Sequence, residues 1–413
     1  MSERSLASRP AFASHEPVRA LAHRTAAVRT RPARGARNRM TTDAASPGPT
    51  SHDGFHTEPD GTEVVRTSAE ADALSMPPLL VLDRIEAYLD TQGLGSGPLA
   101  WRRIGDGQSN ITYQVRRGDA EFVLRRGPRP PIAKSTHDMM REARVQQGVA
   151  KVGLPVPQIL AASDDESILG VPFYVMEMLD GEVLVDTVPS VLPTEDDRRI
   201  ASEVLVDTLV DLHAVDLEKA GLTDFGRPDG YLQRQIATFT RLAPLTRRRE
   251  LPLQEELSEW LTDHLPRSQK VTLVHGDYRF GNVMLAPDAP PRVRAILDWE
   301  MATLGDPLAD LGYLTATYVD GAPGHPSIMS LSNASAAPGF FNRDQITERY
   351  AQRTGLDVSE LAWYQVLAYW KSSVFLEDMY TRWNAGERPG DDYAPRMADG
   401  IPELLEAAQA LTR

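Results

Sequence analysis

The spacing of apolar residues changes several times along the chain, and each change marks an element. In PPLLVLDRIEAYLDTQG, Leu80, Leu82, Ile85 and Leu89 recur at helical spacing before Gly93, which predicts an amphipathic helix. From Asn110 the period falls to two. Ile111, Tyr113 and Val115 alternate with polar residues, a Gly118-Asp119 turn follows, and Phe122 and Leu124 resume the alternation, so a hairpin is expected. STHDMMREARVQQGVAKVG then reads as a helix with Ser135 or Thr136 near its N-cap and Gly153 beyond its end. VPFYVMEMLDG reads as a further strand closed by a turn. After Pro193 the pattern turns helical. Thr194 and Asp197 form a capping pair ahead of apolar positions 200, 204, 205, 209 and 212, and further helices are expected around 252–265, 343–354, 358–385 and 401–412. The expected class is α+β, with a small β-rich lobe over 77–181 and a larger, mainly helical lobe over 182–413. Residues 1–76 show no apolar period and abound in Pro, Gly, Ser and Thr, as disordered tails do.

Composition narrows the chemistry. The 413 residues include no cysteine, which excludes disulfides, thiolate nucleophiles and cysteine-ligated metals. The net charge is -14, yet residues 1–40 hold nine arginines against two glutamates, leaving about +7 there and about -21 over the rest. An acidic body argues against nonspecific nucleic-acid binding, which needs clustered basic residues. The Arg-rich tail fits a transit segment or the arginine bias of a chain with only five lysines, and Met40 or Met76 offers an alternative start. No run approaches the roughly 20 apolar residues of a membrane span, no secretory apolar region opens the chain, and no protein partner is identifiable, so a cytoplasmic body is expected.

The densest cluster of chemistry is VTLVHGDYRFGNVML, residues 271–285, where a polar loop lies between two apolar edges. RAILDWEMATLGDPLADLGYL follows and sets Asp298 after an apolar strand. Two hairpin strands would bring Asp277, Asn282 and Asp298 to one edge. Two carboxylates and an amide oxygen suit a hard cation plus a proton acceptor, because Mg²⁺ takes oxygen ligands and substrate phosphates complete its shell. For either acid alone, a solvated hairpin tip is the simpler account.

HGDYRFGN and LDWE resemble the catalytic loop and metal motif of the aminoglycoside phosphotransferase and choline kinase family. GQSN, VLRR, VPFYVME and DWEMATLGDPLADLGY occur in the family's order over residues 78 to 385, closest to the phosphotransferase domain associated with acyl-CoA dehydrogenases. The resemblance implies a protein-kinase-like two-lobed fold, with ATP and Mg²⁺ as cofactors. It implies that Asp277 is the catalytic base and that Asn282 and Asp298 hold the metal. Arg279, two residues after the base, stands where protein kinases place a phosphate-contacting lysine. His275 is expected to hold backbone, Glu300 to touch a second metal or brace the loop, and Asp306 and Asp310 to act as supports.

On the nucleotide side, Gly105, Gly107, Ser109 and Asn110 of IGDGQSN are expected to drape backbone N–H groups over phosphates, though two glycines alone make only a turn. Arg125 and Glu142 stand for the usual lysine and glutamate pair, a departure because a guanidinium is a fork and not a point charge. Met176 to Met178, with Glu177 between them, would form the hinge against adenine, or simply a buried strand. No GxxxxGK[ST] or HExxH motif occurs, and Asp298 lacks the long activation segment of protein kinases. A small-molecule hydroxyl acceptor is therefore expected, a hydroxyacyl-CoA first and an aminoglycoside or other antibiotic as the alternative. A non-catalytic nucleotide-binding module is the reading from another class. Arg234, Arg241 and Arg247 to Arg249 either meet the phosphates of a CoA-like acceptor or form a solvated helix end.

Overall fold

The structure is a computed structural model that describes residues 54–105, 110–130, 138–387 and 390–413. The smaller lobe is built on a five-stranded antiparallel sheet. Its neighbours run Ala100–Ile104, Ile111–Arg117, Ala120–Arg126, Phe173–Glu177 and Ile159–Ser163. Because side chains alternate across a sheet, the register sorts its two faces. Tyr113 opposes Leu124 and Leu124 opposes Val175, and this apolar row packs on Leu82, Ile85 and Leu89 of the helix Leu82–Thr91. Thr112 opposes Arg125 and Arg125 opposes Tyr174, so the polar row lies on the other face. There it meets the helix Met139–Lys151, which is capped by the Asp138 carboxylate; Ser135 and Thr136 lie outside the described residues.

The expected disordered tail is corrected over its last part, while residues 1–53 lie outside the described residues. Val64 and Val65 pair with Leu80 and Val81 in a short parallel ladder, and Thr67 and Glu70 close a capping box on the helix Ser68–Ala73. Phe55 is buried with the Arg102 and Arg116 guanidiniums over its ring, at 4.9 and 4.2 Å from the centroid. A few apolar side chains in a polar stretch suffice for docking when each finds a ready groove. Arg126 fastens this segment to the sheet by donating to the Leu79 carbonyl, and burial pushes its pKa down to about 10.

The larger lobe is organised around the helix Leu361–Asn384, which is buried on most sides. Packed on it are the helices Leu308–Thr317, Tyr231–Thr246, Pro252–Asp263 and Met397–Ala410. Against Leu308–Thr317 the approach is close enough to require glycine, since a Cβ on Gly312 would stand 2.8 Å from the Tyr364 carbonyl carbon. The helices Glu195–His213 and Arg343–Thr354 complete this lobe, the former with the expected Thr194–Asp197 box. Among the described residues, no helix is long and apolar enough to cross a membrane.

The two edges of the polar loop do not form one hairpin. Thr272–Val274 pairs with Thr303–Gly305, whereas Val283–Leu285 pairs with Val293–Ile296 and with Glu182–Val183. The loop is thus held by two separate ladders that converge below the smaller lobe.

Candidate active site

Two left-handed backbone positions shape the loop. Gly276 has φ 85°, and a Cβ there would meet the Met301 carbonyl oxygen at 2.8 Å, so only glycine lets the chain turn against Met301. The turn aims the N–H groups of His275 and Gly276 at Asp310, at 2.6 and 2.7 Å. Burial opposes ionisation of Asp310, but the bonds from His213 and His275 outweigh it and hold its pKa below the ordinary value. His275 spans the loop, with Nε2 2.9 Å from the Leu297 carbonyl and Nδ1 accepting from Asp277 N–H at 3.3 Å. Both ring nitrogens are thereby committed to backbone.

Asp277 is buried at the loop's centre. Burial raises its pKa, and the Arg279 Nε at 3.2 Å acts against that rise. Asn282 donates Nδ2 to the Asp277 carboxylate at 2.7 Å and to its carbonyl at 2.8 Å. These bonds fix the amide so that Oδ1 is buried with no hydrogen-bond partner among the described residues. Asp298 follows the strand Val293–Ile296 with φ 64°, a strained conformation for a residue with a Cβ. Its neighbour Leu297 donates N–H to the Asn282 carbonyl at 2.8 Å, which brings Asp298 and Asn282 together.

From above, Arg125 reaches Asp298 with Nη2 and Glu142 with Nε, each at 3.0 Å. Burial works against its charge, yet the carboxylates of Glu142 and Asp298 hold it firmly protonated. Glu142 also accepts from the Tyr174 hydroxyl at 2.9 Å and from Asn110 Nδ2 at 3.0 Å, while burial raises its pKa against the pull of Arg125. Asn110 Nδ2 lies 2.9 Å from Glu300, whose pKa is pushed up by burial and by the charges of Asp298 and Glu142. Glu300 thus holds Asn110, just ahead of the strand Ile111–Arg117. Gly107 and Ser109 lie outside the described residues. Glu177 ends its strand with its side chain 3.5 Å from Arg294, and Met178 follows it; the cleft is lined instead by Met176.

Asp277 and Asp298 border different cavities. One, of about 420 Å³, lies under the sheet between Ile104, Val123 and Met176 above and Leu297 below, with Arg125 and Asp298 at its polar end. The other, of about 530 Å³, opens beside Asp277 and is walled by Tyr231, Tyr313, Leu367 and Phe375. One face of the helix Leu361–Asn384 lines it, and that face carries Lys371, which the sequence reading missed. The signal was present, a lone lysine inside the apolar run AYWKSSVF.

Arg234, Arg247 and Arg249, among the expected phosphate-binding arginines, have other partners. Arg249 pairs with Glu377 at 2.9 Å and donates to the Met397 and Ala398 carbonyls, Arg247 pairs with Glu255, and Arg234 donates to the carbonyls of Asp229 and Arg227. The cluster stitches chain segments together.

Comparison with known proteins identifies the family and the fold. The sequence profile of the phosphotransferase enzyme family matches residues 100–348. Chicken (Gallus gallus) acyl-CoA dehydrogenase family member 11 is 32% identical over 328 residues, which cover 77% of this chain and 41% of the chicken protein. Mouse (Mus musculus) acyl-CoA dehydrogenase family member 10 is 39% identical over 241 residues, 57% of this chain and 22% of the mouse protein. The chain therefore spans less than half the length of these relatives. A Ralstonia eutropha crystal structure, provisionally named an aminoglycoside phosphotransferase, superposes with TM-score 0.66 at 28% identity, covering 79% of this chain and 98% of its own. An aminoglycoside phosphotransferase bound to GDP and kanamycin shares the fold, with TM-score 0.52 at 20% identity over 78% and 97% of the two chains.

Proposed function

Since the chain belongs to the phosphotransferase enzyme family, we propose that it transfers the terminal phosphoryl group of ATP to a hydroxyl of a small molecule, with Mg²⁺ on the nucleotide. The observation that carries this reading is Asn282 Oδ1, buried, unpartnered and set between Asp277 and Asp298. An amide oxygen left without a donor in a buried site costs free energy unless a ligand completes it. A hard cation held by Asn282 and Asp298 would do so, and would neutralise charge on the phosphates.

The remaining roles follow from position. Asp277, ionised beside Arg279, orients the acceptor hydroxyl and takes its proton as the new P–O bond forms. Arg279 limits the pKa rise that burial imposes on the base and places positive charge near the transferring group. Arg125, fixed by Glu142, faces the phosphates, and Gly107, Ser109 and Asn110 cover them. Met176, on the strand Phe173–Glu177, borders the base in place of the expected Glu177 and Met178. A cytoplasmic location, where ATP is abundant, suits this chemistry.

For the acceptor, the finer reading is a hydroxyacyl thioester. Its support is the kinship with acyl-CoA dehydrogenase family members and the apolar, aromatic walls beside Asp277. A polycationic antibiotic needs free acids for its amines. Here Asp277 is paired with Arg279, and Asp310 is taken up by His213 and two backbone N–H groups.

The test is transfer of labelled phosphate from ATP to hydroxyacyl-CoAs and to aminoglycosides, by the wild type and by Asp277→Asn. Asp277→Asn should lose ~100-fold or more in turnover while retaining nucleotide affinity, whereas Asp298→Ala should lose Mg²⁺-dependent nucleotide binding. Parallel loss of binding and turnover in both variants would refute the division of roles. Turnover confined to aminoglycosides would refute the acceptor.

A further inference from the structure

The phosphoryl-transfer machinery makes no use of Lys371, although this residue lines the cavity that opens beside Asp277. Its ammonium donates to Gln235 Oε1 at 2.6 Å and lies 4.9 Å from the centroid of the Phe239 ring. One of three donors is thereby used. Among the described residues no carboxylate lies within ion-pair distance of it, and Asp310, the acid nearest in the same cavity, already accepts from His213, His275 and Gly276. The surrounding side chains, Tyr231, Tyr364, Leu367 and Phe375, are aromatic or aliphatic. Withdrawing an ammonium from water into such walls is costly unless a partner meets it there, and burial lowers the pKa of Lys371 to about 8.

We propose that Lys371 is the specificity-determining residue of the acceptor cavity, and that its ammonium holds an electron-rich acyl oxygen of an otherwise apolar, hydroxylated acceptor. This rests on the reading that the acceptor enters beside Asp277. The oxygen is a free carboxylate or the carbonyl of a thioester, two sources of the same chemistry. A phosphate is a poorer match, because phosphate sites converge several donors or an arginine fork and this one offers a single ammonium. The same ammonium repels polycations, so one residue both selects the acyl acceptor and rejects the amino sugar.

Equilibrium binding tests the idea without depending on turnover. The probes are 3-hydroxydecanoate, its coenzyme A thioester and 1,3-decanediol, titrated by calorimetry into the wild type and Lys371→Met, with ATP affinity as the control for an intact fold. Losing a charge-assisted bond should weaken an acyl probe by about 10- to 100-fold, while diol and ATP affinities stay the same. Loss for the acid alone identifies a carboxylate, and loss for both identifies the acyl oxygen generally. Equal acyl affinities in the two proteins, an equal loss for the diol, or no acyl binding to the wild type would each overturn the proposal. The phosphoryl-transfer reading is judged separately, by labelled transfer in Asp277→Asn.

Discussion

Lys371→Met should exchange function for stability, with a pH signature that separates electrostatics from packing. Burial takes the Lys371 pKa from 10.5 to about 8. At ~1.4 kcal/mol for each tenfold change in proton affinity, that sets a ceiling of about 3 kcal/mol on the cost of keeping the ammonium charged in the fold. Water in the open cavity reduces it, and methionine also forfeits the bond to Gln235 and the contact with Phe239, together about 1 to 2 kcal/mol. At pH 7 the variant should therefore be more stable by about 1 kcal/mol. The sign follows from proton linkage. Below pH 8 lysine is charged in both states and the wild type carries the full penalty; between pH 8 and 10.5 the folded state has released a proton that the unfolded state still holds, so wild-type stability rises relative to the variant. Above 10.5 lysine is neutral in both states and the advantage of methionine is gone. Urea denaturation of both proteins, followed through the fluorescence of the buried Trp363 and Trp370, gives the difference at each pH and cancels other titrations. The difference should fall by up to about 3 kcal/mol across this window. Parallel curves would refute the argument, because they would mean that Lys371 titrates alike in both states.

Three further outcomes follow from the site and its supports. Arg279→Gln should move the acid limb of the kcat/KM profile to higher pH, because Asp277 loses the cation that opposes its raised pKa; a limb that stays in place or moves down would exclude Asp277 as the titrating base. Arg125→Lys keeps the charge but cannot span Glu142 and Asp298 together, so nucleotide affinity should fall about tenfold, while Arg125→Ala should also lower stability by about 3 kcal/mol by stranding the buried Glu142. Equal nucleotide affinity in wild type and both variants would remove Arg125 from the site. A chain beginning at Met76 should melt several degrees below one beginning at Gly54, because it lacks Phe55 and the Val64–Val65 ladder, and Phe55→Ala alone should cost about 3 kcal/mol. Coincident melting curves would mean that residues 54–75 contribute nothing to the fold.

The sequence revealed elements whose signal is local and lost those whose signal depends on a distant partner. The hairpin Ile111–Arg126 alternates over seven-residue strands with a glycine turn, and the Thr194–Asp197 box is complete within four residues, so both were legible. Strands of two or three residues, such as Val64–Val65 and Thr303–Gly305, are too short to show a period. The helix Leu308–Thr317 is buried on nearly every side and therefore has no polar stripe to betray it. In the site, residue types and spacing pointed to Asp277, Asn282 and Asp298, and the expected hairpin is the ladder of Val283–Leu285 with Val293–Ile296, but the second ladder, of Thr272–Val274 with Thr303–Gly305, joins segments the sequence could not pair. The clearest case is the acceptor side. Arg247, Arg248 and Arg249 read as available charge because sequence counts cations without their partners, yet Glu255, Glu377 and backbone carbonyls engage them. Lys371 went unnoticed as one lysine in a long apolar helix, yet packing sets it among aromatic walls with no carboxylate at ion-pair distance among the described residues. An acceptor that entered that cavity, as proposed, would meet this one ammonium, so the ion pairs of the fold, and not the density of basic residues, would decide what charge the substrate must carry.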